Sequence, residues 1–352
     1  MTLEFHPVWF DSMGAKSSCT FVKTPDIKVL IDPGISSMQP SFPATENEKN
    51  SWFNNGKNEI KKAIENVDLV VITHFHFDHF INDEIKCYLG KKIFIKNPNE
   101  FINDSQRKRA EIFFDNLSTI LNIDNKKIIS ERKNPKKYED PLKDLKEAVK
   151  IDYKSYSKRK KELLEKGKKW FFNRADKWNS YKQYQEIESN DLKIIFAEDK
   201  KISFGDTNIS FSKPLFHGIE YARVGWVYSV VLEYKDKKFM YTSDINGPII
   251  EDYAEMIIKE NPNFLILDGP MTYMFGYLLN RINLNRAIDN AVKIIKKIDA
   301  EVIIYDHHLT RERRFRDRTK KVWQTAKKYK KNLLTAAEYL GKKPIIEKLS
   351  DK

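Results

Sequence analysis

Cysteine is nearly missing from this 352-residue chain, which has only Cys19 and Cys87. They stand far apart in no paired pattern, which excludes a disulfide-stapled module, offers no thiolate metal site and fits a reducing compartment. No uninterrupted apolar run approaches the roughly 20 residues of a membrane span, and the first ten residues lack the basic start and apolar stretch of a signal peptide. A soluble, cytoplasmic protein without a membrane partner is therefore expected. Histidine is scarce too, at seven, so the places where it falls are informative. What is abundant excludes disorder: hydrophobic residues make up 41% of the chain and aromatic residues 12%, enough to close a large core.

The formal net charge of +13 is a prior for a polyanionic or otherwise anionic partner and says nothing about fold. It is unevenly spread. Between Glu131 and Lys182 there are 18 Lys and Arg against 9 Asp and Glu, so most of the excess lies in that stretch.

Patterning divides the chain in three. Residues 1–96 open with strand-like runs at 3–10, 18–22 and 27–31, the last closing on the turn Asp32-Pro33-Gly34. A helical stretch at 57–66 then feeds the β-branched run 67–72, and a short strand follows at 91–96. Residues 97–191 read as a basic helical insertion with aromatics among the lysines. Residues 192–352 return to strands, at 192–197, 202–204, 208–211, 224–234 and 238–241. There follow a helix at 249–260, a strand at 264–267, a helix at 285–298, a strand at 301–305 and a final basic helix at 319–340 capped by Gly341. Two β-rich halves with helices appended to each predict an α/β four-layer sandwich, helix-sheet-sheet-helix.

Directly after the run 67–72 comes Thr73-His74-Phe75-His76-Phe77-Asp78-His79-Phe80. One short segment presents three imidazoles and a carboxylate, a pattern that a shuffled chain of this composition yields on the order of 2 times in 10,000. Three buried imidazoles and an Asp without a cation would each need a separate partner. Imidazole with carboxylate suits zinc first and iron or manganese second.

The segment THFHFDHF after an apolar strand resembles the signature of the metallo-β-lactamase superfamily of metal-dependent hydrolases. That superfamily also places an Asp at an early strand end, a lone His well downstream, an Asp at a later strand end and a final His after a late strand. Asp32 in LIDPG, His217 in PLFHG, Asp244 in YTSDINGP and His307 in IIYDHH answer in that order. More narrowly, IKNPNEFINDSQRKRA, PLFHGIEYARVGW, LDGPMTYM and DHHLTRERRFRDR are similar to an uncharacterised, mainly archaeal family of predicted metal-dependent hydrolases. The resemblance implies two divalent metal ions, one on His74, His76 and His217, the other on Asp78, His79 and His307, with Asp244 bridging. It leaves Asp32 to orient a ligand histidine.

Asp78 and His308 are the residues assigned to the chemical step. Counting from the strand end makes His307 the ligand and His308 a proton donor or substrate contact. Two cations lower the pKa of a shared water and polarise the oxygen it attacks, which makes hydrolysis the natural output. Arg311, Arg313 and Arg314, immediately after the last ligands, suit phosphate oxygens, although an arginine-rich helix start pairing with its own acids reads the same way. The expected reaction is hydrolysis of a phosphodiester in a nucleotide or nucleic acid. Opening of a small-molecule thioester, lactone or amide by the same site is the alternative. A diiron redox role is disfavoured because His76 is present and no flavodoxin-like segment is visible.

Overall fold

The computed structural model describes residues 2–124, 128–132 and 134–349. The chain termini of the expected division and residues 125–127 and 133 of its basic stretch lie outside the described residues.

The first half starts with a meander in which β1 (Glu4–Phe10), β2 (Ser18–Lys23) and β3 (Lys28–Ile31) pair antiparallel. Helix α1 (Glu46–Glu65) starts on a capping box between Thr45 and Glu48, eleven residues before the helix expected from the apolar spacing. It returns the chain to β4 (Leu69–Ile72) and β5 (Lys91–Ile95), which extend the sheet in parallel. Next come α2 (Asp104–Leu121), capped by Asn103, then β6 (Ile129–Ser130), α3 (Ser157–Ser180), β7 (Gln183–Tyr184), β8 (Ile187–Glu188) and β9 (Leu192–Phe196). The order across this sheet is β1-β2-β3-β4-β5-β9-β8.

The second half repeats the plan. It contains β10 (Lys201–Phe204), β11 (Thr207–Phe211), the short pair β12 (Leu215–Phe216) and β13 (Trp226–Val227), β14 (Val230–Tyr234), β15 (Lys237–Tyr241), α4 (Glu251–Glu260), β16 (Phe264–Asp268), α5 (Arg281–Lys297), β17 (Val302–Asp306), α6 (Lys320–Lys328) and β18 (Leu333–Leu334). Its sheet runs β10-β11-β14-β15-β16-β17-β18, antiparallel as far as β15 and parallel from there.

Strand alternation assigns each side chain to a layer. Val29, Ile31, Leu69, Val71 and Phe94 point inward and meet Ile209, Leu232, Phe239, Ile266 and Ile304 from the other sheet. Their neighbours Leu30, Val70, Ile72 and Ile93 face out, among Ile60, Ile64, Phe113 and Leu117 of α1 and α2. On the far side, Leu265 and Ile303 share their core with Ala254, Ile257, Ile294 and Ile295 of α4 and α5. The result is the four-layer helix-sheet-sheet-helix sandwich expected from the sequence.

Two local expectations differ from the structure. The run 224–234 is split, with Tyr228 and Ser229 between β13 and β14. The single helix at 319–340 is broken: Lys330 adopts a left-handed φ of 53°, and Leu333 and Leu334 leave the helical path to complete the second sheet against β17. Gly341, with φ 70°, follows only the short helical turn Ala336–Tyr339.

Candidate metal centre

The candidate residues lie where strands end. Asp32 follows β3, His74 follows β4, His217 follows β12, Asp244 follows β15, Asp268 closes β16, and His307 and His308 follow β17. Parallel strands bring their carboxyl ends to one edge, so loops far apart in sequence converge there. Backbone strain gathers at the same edge, since Asp32, Ser243, Asn246, His307 and His308 all carry positive φ. The turn at Gly34 packs so tightly beneath the histidine segment that a Cβ there would stand 2.0 Å from the Phe80 nitrogen.

Asp244 is the hub. Its Oδ2 lies 3.2 Å from Nε2 of His217, 3.2 Å from Nε2 of His79 and 3.5 Å from Nε2 of His74, while its Oδ1 lies 3.5 Å from Nε2 of His307. One set of donors comprises His74, His76, His217 and Asp244, and a second comprises Asp78, His79 and His307; within each, the potential ligand atoms lie within 4.8 Å of one another. His76 turns Nδ1 toward His74 Nε2, 3.0 Å away.

Buried groups hold the histidines in orientation. Asp32 accepts from Nδ1 of His79 at 2.8 Å, from the Thr73 amide and hydroxyl at 2.7 and 2.6 Å, and from the Tyr241 hydroxyl at 2.8 Å. With its oxygens so engaged, Asp32 orients a neighbour. Nδ1 of His307 faces Asp11 at 3.1 Å and the Ser17 carbonyl at 3.1 Å, both acceptors, which directs Nε2 toward the hub. The Asn246 amide lies 3.1 Å from His217 Nδ1. His308 shares a third candidate donor group with Asp244 and His307; its Nε2 lies 3.8 Å from Asp244, and its Nδ1 is 2.9 Å from Asp268.

The donor set fits a cation on this structure's own terms. Nε2 of His79, Nε2 of His217 and Oδ1 of Asp244 are buried and make no hydrogen bond, a costly arrangement when nothing else satisfies them. The groups at the hub also shift one another's charge. Burial disfavours a charged Asp244, yet the surrounding imidazoles outweigh it and hold its carboxyl well below the usual range. Burial lowers the pKa of His74 and His76, keeping these rings neutral and available as ligands. Burial opposes charge on His79 as well, but Asp244 and Asp32 prevail and push it up to about 10. Burial and the neighbouring Asp244 raise the pKa of Asp268.

The three arginines separate. Arg311 is buried beside Asp78, with Nη2 3.4 Å from Oδ2. Arg313 and Arg314 stay at the surface, and Arg313 donates to the Leu349 carbonyl at 3.2 Å. Asp11, Gln106, Arg109, Asn246 and Asp268 are functional neighbours that sequence reasoning missed. Asp268 had a signal, standing at the end of an apolar strand in LDGP as Asp244 does in its own segment. In the basic stretch, Tyr138, Phe171 and Trp178 are buried, and Trp170 stacks on Trp226 at 5.6 Å, so these aromatics pack the protein's own core.

Residues 14–82 match the model of the metallo-beta-lactamase superfamily. The histidine segment lies inside this match, so that part of the chain is similar to the metallo-β-lactamase superfamily. Over nearly its full length the chain is similar to archaeal UPF0282 proteins. It is 28% identical to that of Korarchaeum cryptofilum over 96% of this chain and 89% of the relative. It is 27% identical to that of Methanopyrus kandleri over 96% and 93%. Among solved structures, it aligns with the metallo-beta-lactamase fold protein YhfI of Bacillus subtilis at 12% identity and a TM-score of 0.43, over 95% of each chain. It aligns with the short form of human tRNase Z at 10% identity and a TM-score of 0.39, over 87% of this chain and 92% of that one.

Proposed function

We propose that this protein is a metal-dependent hydrolase of anionic substrates, acting on a phosphodiester of a nucleotide or nucleic acid. The observation that carries the reading is the convergence on Asp244 of imidazoles from distant loops, with buried donor atoms left without hydrogen bonds. His74, His76 and His217 would hold one divalent cation, Asp78, His79 and His307 the other, with Asp244 shared between them. Zinc is the first candidate, iron or manganese the second. Such ions supply Lewis acidity and lower the pKa of water.

The protein's own residues complete the task. Asp32 and Asp11 fix the ring orientations of His79 and His307. His308, held by Asp268 through Nδ1, keeps Nε2 at the hub, where it can pass a proton to a departing oxygen. Arg311 is in the site, and Lys16 and Arg109, both half-buried, feel the charge of Asp78, so the surroundings favour a substrate with negative charge.

A specific observation also keeps the small-molecule reading. The ligand-bearing loops expose Phe77 and Ile219, apolar surface that suits the organic part of a thioester, lactone or amide. The test is an activity panel of a bis-aryl phosphodiester, a cyclic nucleotide, a thioester and a lactone on protein reconstituted with zinc, iron or manganese. Turnover of the phosphodiesters, abolished by chelator, is expected. Turnover of only the thioester or lactone would replace the reading, and none with any metal would defeat it.

A further inference from the structure

Arg311 makes the two halves of the centre unequal. Its Nε donates to Asp11, its Nη1 lies 3.3 Å from the Tyr273 hydroxyl, and its Nη2 lies 3.4 Å from both Asp78 Oδ2 and His307 Nε2. Asp78 and His307 are two of the three donors of the second set, so a permanent charge already leans on the atoms a cation there would use. The first set has no guanidinium within hydrogen-bond reach of its donors; Arg109 bears on His76 only through its charge. Among the described residues, no lysine or arginine pairs with Asp244 or hydrogen-bonds to His74, His76 or His217.

Two further cations stand on the Asp78 side. Lys16 is half-buried, forms no ion pair among the described residues, and precedes Ser17, whose carbonyl meets His307. Arg109 lies 5.1 Å from the centre of the Phe77 ring and donates to the Phe75 carbonyl at 3.2 Å, which brackets Asp78 from the other side of its loop. Arg109 bears on His76 as well as on Asp78, so the difference between the sets comes from Arg311 and Lys16: a divalent ion entering the second set meets more repulsion, and it shares the charge of Asp78 with a guanidinium.

We propose that Arg311 is a fixed positive charge that makes Asp78, His79 and His307 the weaker of two cation sites, so that divalent cations load in order, first at His74, His76, His217 and Asp244. The inference rests on the reading that these residues hold cations. It gives Arg311 a positioning role in place of the substrate contact expected from its sequence.

The test is an equilibrium titration of the full-length protein, stripped by chelator, with zinc in competition with a chromophoric chelator. A parallel titration with cobalt(II) follows the visible spectrum at one and two equivalents. In the wild type, the second step should be at least about 100-fold weaker than the first, and cobalt should show two successive spectra. Arg311→Gln, which keeps a donor for Asp11 but removes the charge, should tighten the second step by about tenfold or more and leave the first in place. Arg311→Lys should keep the gap. Lys16→Met breaks no ion pair and should narrow the gap in the same direction by less, which decides the matter if Arg311→Gln does not fold. Two wild-type steps of equal affinity, or a gap that neither Arg311→Gln nor Lys16→Met narrows, would overturn the role of Arg311 while leaving the metal reading intact. Failure to bind either ion at all would overturn both.

Discussion

Nδ1 of His307 lies 3.1 Å from Oδ1 of Asp11, although 296 residues separate them. Asp11 is buried and also pairs with Arg311; burial works against its charge, but Arg311 and His307 outweigh it and hold its carboxyl well below the usual range. The carboxylate thus fixes the proton on Nδ1 and points Nε2 at Asp244. Asp11→Asn should lower cation affinity by about 10- to 100-fold, the usual scale for a group that orients a metal ligand. Chelator competition on the folded variant measures this. Affinity equal to wild type would show that His307 needs no such support or is not a ligand.

Asp244 contacts both donor sets, so its loss should affect both. Asp244→Ala should reduce the metal content from close to two ions per chain to one or none, and abolish turnover with it. Elemental analysis of protein purified without chelator, before and after reconstitution, reads the outcome. A variant that retains two ions and full activity would remove Asp244 from the centre.

How much of this was legible in the sequence depended on distance along the chain. The segment from His74 to His79 packs its donors into one loop, so their residue types and spacing sufficed. Asp32, His217 and Asp244 each stand alone, and only the resemblance to the metallo-β-lactamase superfamily, with its order of ligands after strands, marked them. Asp11 had no local mark, because its role comes from His307 and Arg311 at the other end of the chain. Arg109 and Gln106 sit on the face of α2, where a helical pattern cannot say which polar side chain meets His76. Arg313 and Arg314 looked equivalent to Arg311 because charge was visible and direction was not. The aromatics of the basic stretch were ambiguous for a related reason: Trp178 hydrogen-bonds to the Ile102 carbonyl and packs against Trp226, contacts that composition cannot distinguish from a stacking surface.

A second buried network should set the acid limit of stability. Glu220 pairs with Arg286 and Lys160. Burial opposes its ionised form, but the two cations prevail and lower its pKa from 4.5 to about 2. A depressed carboxyl pKa stabilises the fold at any pH above the unfolded value, and the contribution fades as pH falls from about 4.5 toward about 2. At neutral pH the ionised group is worth about 3 kcal/mol on this basis. Urea unfolding of wild type and Glu220→Gln should show a stability difference of that order at neutral pH, shrinking through this window. A difference independent of pH would mean that packing, not charge, explains the effect.

His308 separates two roles by measurement. Its Nε2 lies 3.8 Å from Asp244 and its Nδ1 is held by Asp268, whereas His307 stands in two donor groups, one with Asp78 and His79 and one with Asp244 and His308 itself. Loss of His307 should therefore lower metal content and rate together. His308→Ala should leave the metals in place and lower turnover by about 100-fold or more, the scale of general acid catalysis. The loss should follow the leaving group. A nitrophenolate departs without a proton, so its ester should be hydrolysed almost normally by the variant, while a poor alkoxide should expose the whole defect. Because Asp268 holds the ring, Asp268→Asn should shift the pattern in the same direction and more weakly. Metal stoichiometry together with rates on both substrate types decides the assignment: a His308 variant that loses metal while the His307 variant keeps it would exchange the two roles, since a ring that only donates a proton contributes nothing to holding the ion.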